Sequence, residues 1–549
     1  MAGLRTEARG GSGGAIAARV PGNGSSTVHL AAQEIAQLVS TRKVSALEVV
    51  NAHLERIGDV NPELNAVVVR LDEQSRNHAR RMDRDLASGA APGRLAGVPF
   101  TVKESFDVAG TPSSAGSRRH ADRLATVDSP LVKRMRDAGA ILVGKTNLAQ
   151  VHVFHEGDNP VYGRTNNPWN VDRSSGGSSA GEGAIIAAGG VPLGIGSDIG
   201  GSVRVPAHFC GIHALKPTAN RLTRRGSFDA VAWAGADAIV AQAGPLARSV
   251  GDLEAAFGVL AAPDTEDPSI PPVPARDPAE VAVSGLRIGW FDTDGLFEPA
   301  PAIRRAVREA RAHLEEAGAA TVQITPPDLE AAAALYFGIL SADGAQWARD
   351  HLAGGPIDRR VGALIALSRV PPRIRPLIAR LARAVGQEGL ARVAASIGGR
   401  SAADYWRLVA EAAGYRQGFA NLMRDQRLDA IISPPHALPA LTHGASFDVS
   451  MGGTYALLFN LLGYPAGVVS MTSVHSGEET DRPASRDRAE KAAANVESGS
   501  TGLPVGVQVA ARPWREDVVL AVMRHIEWSF RDALDDPCRS GAIVRSGQS

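Results

Sequence analysis

The feature that constrains this chain most is the stretch over residues 173–218, RSSGGSSAGEGAIIAAGGVPLGIGSDIGGSVRVPAHFCGIHALKPT, its region densest in glycine and serine. The most apolar run of the chain, residues 184–195, lies inside it, and three glycines interrupt that run. Such a run is too short for a bilayer, which takes about 20 apolar residues, and no other stretch supplies them. Gly and Ser dominate tight turns, so the block reads as short buried elements joined by tight loops.

Short apolar segments lie on both sides of it. Residues 95–103, LAGVPFTVK, read as a strand ending in a lysine, 130–138 as a helix and 139–144 as a buried strand. Further on, 285–290 reads as a strand, 301–317 as a helix, 329–425 as mostly helical, and 428–433 and 503–509 as strands, with a last helix over roughly 515–534. Near the start, Ala31, Ile35, Leu38 and Val39 share one helical face, and so do Leu47, Val50, Leu54 and Ile57. Strands alternating with helices predict an α/β protein with buried strands. Residues 1–26 are expected to be a flexible tail. Residues 27–549 are expected to form a single catalytic domain, with the polar stretch at about 474–500 as an exposed insertion and 263–278 as a loop. There is no internal repeat.

Composition narrows the function. The 549 residues are 44% hydrophobic and 21% charged, which excludes a wholly disordered or collagen-like chain. Lys+Arg and Asp+Glu both number 58, so bulk electrostatics gives no reason to expect nucleic acid as a partner. The two cysteines, Cys210 and Cys538, cannot form a disulfide framework and suit a reducing compartment. The expected location is cytoplasmic.

The chemistry is carried by three pieces: GVPFTVKE at 97–104, SSGGSSAG at 174–181 and GSDIGGSVRVP at 196–206. A glycine loop ending in a serine leaves backbone N–H groups to face an oxyanion, and Ile199, Gly200, Gly201 and Ser202 are the candidates. Ser202 is a poor nucleophile without a base. No histidine–acid pair stands at a recognisable spacing. A lysine at the end of a buried strand serves if burial keeps it neutral, and a second serine can relay the proton.

These motifs resemble the amidase signature family. The block over 173–218, the Lys103 motif, GKTNLA at 144–149 and GLPVGVQV at 502–509 follow the family's order, over roughly residues 30–540. The spacings agree: 75 residues separate Lys103 from Ser178, and 24 separate Ser178 from Ser202. The resemblance implies a mixed central β-sheet flanked by α-helices and a Ser–Ser–Lys triad, with Ser202 as nucleophile, Ser178 as bridging serine after a cis Gly177–Ser178 bond, and Lys103 as general base. It implies hydrolysis of carboxylic amides to acid and ammonia or amine through an acyl-enzyme, with no metal or organic cofactor. Residues 429–435, 455–469, 514–524 and 181–184 resemble the fatty acid amide hydrolase branch, which points to a hydrophobic acyl or aryl amide as the small-molecule substrate. Animal members of that branch carry an N-terminal membrane helix, and none is expected from the apolar pattern here, which leaves firm membrane anchoring unexpected.

Other readings compete with these. Asp198 and Arg204 are expected to support the nucleophile loop. The glycines of 194–200 miss the dinucleotide fingerprint by one residue, and GAILVGKT at 139–146 matches the phosphate-loop pattern only by letter, since its middle is an apolar strand. His152 and His155, beside Glu156, lack the helical zinc pattern. The resemblance to the related hydrolases implies an acyl-pocket position for His152, Val153 and His155, against a plain surface or core role. Cys210 reads as a buried thiol. Residues 359–387 hold seven arginines and no acid, interleaved with leucine and isoleucine; the segment is either a solvated helix surface or a peripheral membrane contact. The rivals in function are a glutamine-hydrolysing subunit of a tRNA-dependent amidotransferase and a non-catalytic binding protein. A homo-oligomer is the expected assembly.

Overall fold

The computed structural model describes residues 24–232, 236–264 and 266–530. The tail expected over 1–26 lies outside these residues up to position 23, and Gly24–His29 forms a 3-10 turn.

An eleven-stranded sheet flanked by helices runs through the molecule. In chain order its strands are β1 (Val67–Arg70), β2 (Pro99–Lys103), β3 (Ile141–Thr146), β4 (Leu193–Asp198), β5 (His213–Lys216), β6 (Gln242–Ala247), β7 (Arg287–Trp290), β8 (Ala320–Gln323), β9 (Ala430–Ser433), β10 (Ala466–Ser473) and β11 (Pro504–Ala511). Across the sheet they lie in the order β1-β3-β2-β4-β6-β5-β10-β11-β9-β7-β8. β2 runs parallel to β3 and β4, and β7 parallel to β8 and β9; the other pairs are antiparallel. The sheet is therefore mixed, as the resemblance implied.

Every residue of β2, β3 and β4 is buried, which is why they read as continuous apolar runs without alternation. Val102 pairs with Ile195 in the parallel β2–β4 ladder. The carboxyl ends of both strands therefore emerge at the same sheet edge, where α/β proteins build their crevices. That register places Lys103 beside the start of the glycine-rich loop.

Local rules account for the flanking helices. Ser45 accepts from the Glu48 amide while the Glu48 carboxylate accepts from the Ser45 amide, and this reciprocal cap starts the helix Ala46–Leu64. Val50, Leu54 and Ile57 are buried on it, with Leu47 only partly so. The strand expected from residue 95 begins at Pro99, because Gly97 takes a φ of +74° and residues 95–98 turn, Val98 N donating to Leu95 O. The helical region over 329–425 divides into six helices, Leu329–Leu340, Gln346–Leu352, Arg359–Ser368, Arg375–Ala384, Glu388–Ser396 and Ala402–Asp425.

Residues 474–500 differ from the exposed insertion expected. Most of 475–486 is exposed, but Arg488–Glu497 is a helix that buries Ala489, Ala493, Val496 and Glu497. The guanidinium of Arg482 pairs with Glu490 at 2.7 Å and with the buried Glu497 at 2.8 Å, which lets a charged segment fold inward. The arginines of 359–387 also divide. Arg359, Arg369, Arg373, Arg380 and Arg383 are exposed, whereas Arg360 and Arg375 are buried. Among the described residues, no helix is long and apolar enough to cross a membrane.

Candidate active site

Lys103, the last residue of β2, is fully buried. Its Nζ donates to Ser178 Oγ at 2.7 Å and to Ser197 Oγ at 3.0 Å. Ser178 stands in the turn before the helix Ala180–Ala187, after a cis Gly177–Ser178 bond. Its carbonyl accepts from Ala149 N, and Ser179 N donates to Ser202 O, so the two serine loops are tied together. Burial pulls the Lys103 ammonium down to about 8, against the pull of Asp229, Asp198 and Glu182 toward the charged form. A lysine in that range can give and take protons near neutral pH, which an exposed one cannot.

The loop after β4 is held by one carboxylate. Asp198 accepts from the amides of Gly201 (2.8 Å) and Val203 (3.1 Å), from two nitrogens of Arg204 and from Asn460 Nδ2. Arg204 is wholly buried and also donates to Ala456 O and Gln508 Oε1. Burial alone would push the Asp198 carboxyl up, but the Arg204 charge and these hydrogen bonds hold it well below the usual carboxylate range. Asp198 and Arg204 are thereby hydrogen-bonded to each other, and Asp198 to the loop. Of the four expected oxyanion donors, one has a partner within the loop. The Gly201 amide is spent on Asp198, while among the described residues none accepts from the amides of Ile199, Gly200 or Ser202.

Two glycines are needed in this loop. Gly201 has a φ of +114°, and a Cβ on Gly200 would come within 2.3 Å of Tyr336 Oη. That hydroxyl donates to Ile199 O, and the loop's next carbonyl, Gly200 O, pairs with His155 Nε2 at 3.0 Å.

Ser202 opens onto a cavity of about 280 Å³. His152, Val153 and His155 line one side with Ile199 and Gly200. Tyr336, Phe337, Leu340, Leu364 and Ile365 line the helical side, and Phe447, Met451 and Leu457 complete the wall. The two histidines face different partners: His152 Nδ1 lies 2.7 Å from Asp229 Oδ1, and His155 is engaged with Gly200. The buried Arg360 explains how the helical side is held. It pairs at 2.8 Å with Glu156, which also accepts from Gly444 N and Ser446 N. Cys210 is a buried free thiol that donates to Ser175 O and whose pKa burial pushes up, which keeps it in the unreactive thiol form.

The amidase family model matches residues 48–520. The chain belongs to the amidase signature family. As an amidase it is a hydrolase acting on amide C–N bonds. It is 34% identical over 501 residues to the fatty-acid amide hydrolase 1 of Sus scrofa, covering 90% of this chain and 84% of that protein. It is 37% identical over 300 residues to the acylamidase of Rhodococcus erythropolis, covering 54% of this chain and 62% of that one. The solved structure of a fatty acid amide hydrolase superposes with a TM-score of 0.82 at 25% identity, covering 94% of this chain and 87% of the other.

Several residues of the amidase site carried no assignment from sequence: Ser197, Asp229, Tyr336, Asn460 and Gln508. Ser197, Asn460 and Gln508 lie inside motifs that stand out as blocks. Asp229 and Tyr336 lie in stretches with no motif, and only tertiary packing brings them to the loop.

Proposed function

We propose that this amidase hydrolyses hydrophobic acyl or aryl amides through Ser202, Ser178 and Lys103. The observation that carries the reading is the 2.7 Å contact between a fully buried Lys103 and Ser178, beneath the apolar cavity that Ser202 opens onto. Neutral Lys103 takes a proton from Ser178 as Ser178 takes one from Ser202. The Ser202 Oγ–carbon bond forms, and the amides of Ile199, Gly200 and Ser202 receive the oxyanion, each such donor typically contributing about 10²–10³ in rate. The relay returns a proton to the leaving nitrogen as the C–N bond breaks. Water then cleaves the acyl-enzyme by the same path.

Apolar side chains from both walls meet in the cavity, which favours an acyl chain or aryl ring over a glutamine side chain. His152, Val153 and His155 form the near wall of the acyl site in this reading. A panel from acetamide through an aryl amide and oleamide to glutamine, run on wild type and Ser202→Ala, tests it. Cleavage of the hydrophobic amides, abolished in the variant, is expected. Turnover of glutamine alone would transfer the assignment to the amidotransferase class, and no turnover with no covalent labelling would leave a binding protein.

A further inference from the structure

Four ionisable groups surround Lys103 and take no step in the proposed cycle. Asp198, at the end of β4, has its charge matched by Arg204 in a buried ion pair at 2.9 Å. Glu182, on the helix Ala180–Ala187, accepts from Thr101 Oγ1 at 2.7 Å and Thr146 Oγ1 at 2.8 Å, and burial pushes it up to about 7. It therefore carries only part of a charge near neutral pH. His152 is held neutral, first by burial and then by the Lys103 charge. Asp229, on the short helix Phe228–Ala232, is the group left with a full charge. Burial works against its ionisation, yet His152, Lys103 and Ser197 together hold it well below the usual range.

The geometry of these groups is directional. His152 Nδ1 lies 2.7 Å from Asp229 Oδ1 and donates to that carboxylate. Ser197 accepts from Lys103 at 3.0 Å, and its hydroxyl favours the charged form of Asp229. We propose that Asp229 is a positioning residue, the buried counter-ion of Lys103, connected to it through Ser197 and locked by His152, and that its charge sets the pH range over which this amidase works. The proposal rests on the reading of Lys103 as the base. A buried charge acts strongly on a neighbour because little water screens it. Removing it favours the neutral lysine and moves the active range toward acid.

The test is the pH dependence of kcat/KM on an uncharged aryl amide for wild type, Asp229→Asn, Ser197→Ala and His152→Gln, each checked for folding by circular dichroism. The acid limb of Asp229→Asn is expected to move about one unit lower, so that at a pH below both midpoints its rate, as a fraction of plateau, rises about tenfold. Ser197→Ala is expected to move in the same direction by less. His152→Gln keeps the Asp229 charge and is expected to move the limb least. A folded Asp229→Asn with reduced rate and an unmoved midpoint overturns the proposal. If that variant does not fold, an unmoved midpoint in Ser197→Ala overturns it equally. Lys103→Ala separates the two failures. A wild-type limb persisting there removes Lys103 as base. A limb lost there but unmoved in Asp229→Asn removes only the counter-ion.

Discussion

The two walls of the cavity are built differently. The wall that carries Ser202 is the end of a buried sheet, where β2, β4 and the loop after β4 leave almost no side chain in contact with water. Its loop is fixed by several hydrogen bonds converging on Asp198 and by Tyr336 and His155 on consecutive carbonyls. The opposite wall is made of short helices from 329 onward. Several of them turn apolar side chains into the cavity, and the neighbouring helix Arg375–Ala384 exposes Leu377 (55%) and Leu381 (58%). Chemistry needs atoms held to fractions of an ångström, and dense buried hydrogen bonding supplies that. Selection among acyl groups needs only shape and apolar area, which short helices supply with fewer constraints.

Cutting the first wall is expected to have the largest effect. Asp198→Ala strands the Arg204 guanidinium in the interior and frees the loop. Breaking a buried pair on one side costs about 3–5 kcal/mol, which urea denaturation would read. With the loop released, kcat is expected to fall by about 10²–10³, the scale of losing an oxyanion donor. Near-wild-type stability and activity would show that the loop holds itself without the pair.

A change in the second wall should act on choice and leave the chemistry alone. Ile365→Trp narrows the helical side of the cavity. The ratio of kcat/KM for a long acyl amide over acetamide is expected to fall about tenfold or more, in line with the few kcal/mol a filled hydrophobic pocket discriminates. The acetamide rate is expected to stay within about threefold on the same grounds. An equal loss on both substrates would show that the helical wall also shapes the reacting centre.

The same contrast explains what could be read from sequence. Lys103, Ser178 and Ser202 could be singled out as candidates because close backbone approach and a positive φ demand glycine, and glycines at fixed spacing from serines make a pattern; the structure brings Lys103 and Ser178 to 2.7 Å. Asp198 and Arg204 were legible as neighbours of that pattern. The bond from the Gly201 amide to Asp198 was not, because a side chain that folds back on an amide three residues later leaves no mark in the letters. Asp229 and Tyr336 were not legible either. Each reaches the site across more than a hundred residues of chain or from a helix with no motif, and only the packed fold brings them there. The helical wall was visible as helix and as an arginine-rich segment. That Arg360 turns inward to Glu156 depended on a partner about two hundred residues away.

The central claim is that Ser202 is the atom that attacks, driven by Lys103 through Ser178. The most direct measurement is reaction with a fluorophosphonate, followed by peptide mass mapping and by the labelling rate at pH 7. The account predicts one adduct, on the peptide containing Ser202, absent in Ser202→Ala and formed far more slowly in Lys103→Ala. An adduct on another residue, or an unchanged rate without Lys103, would contradict it.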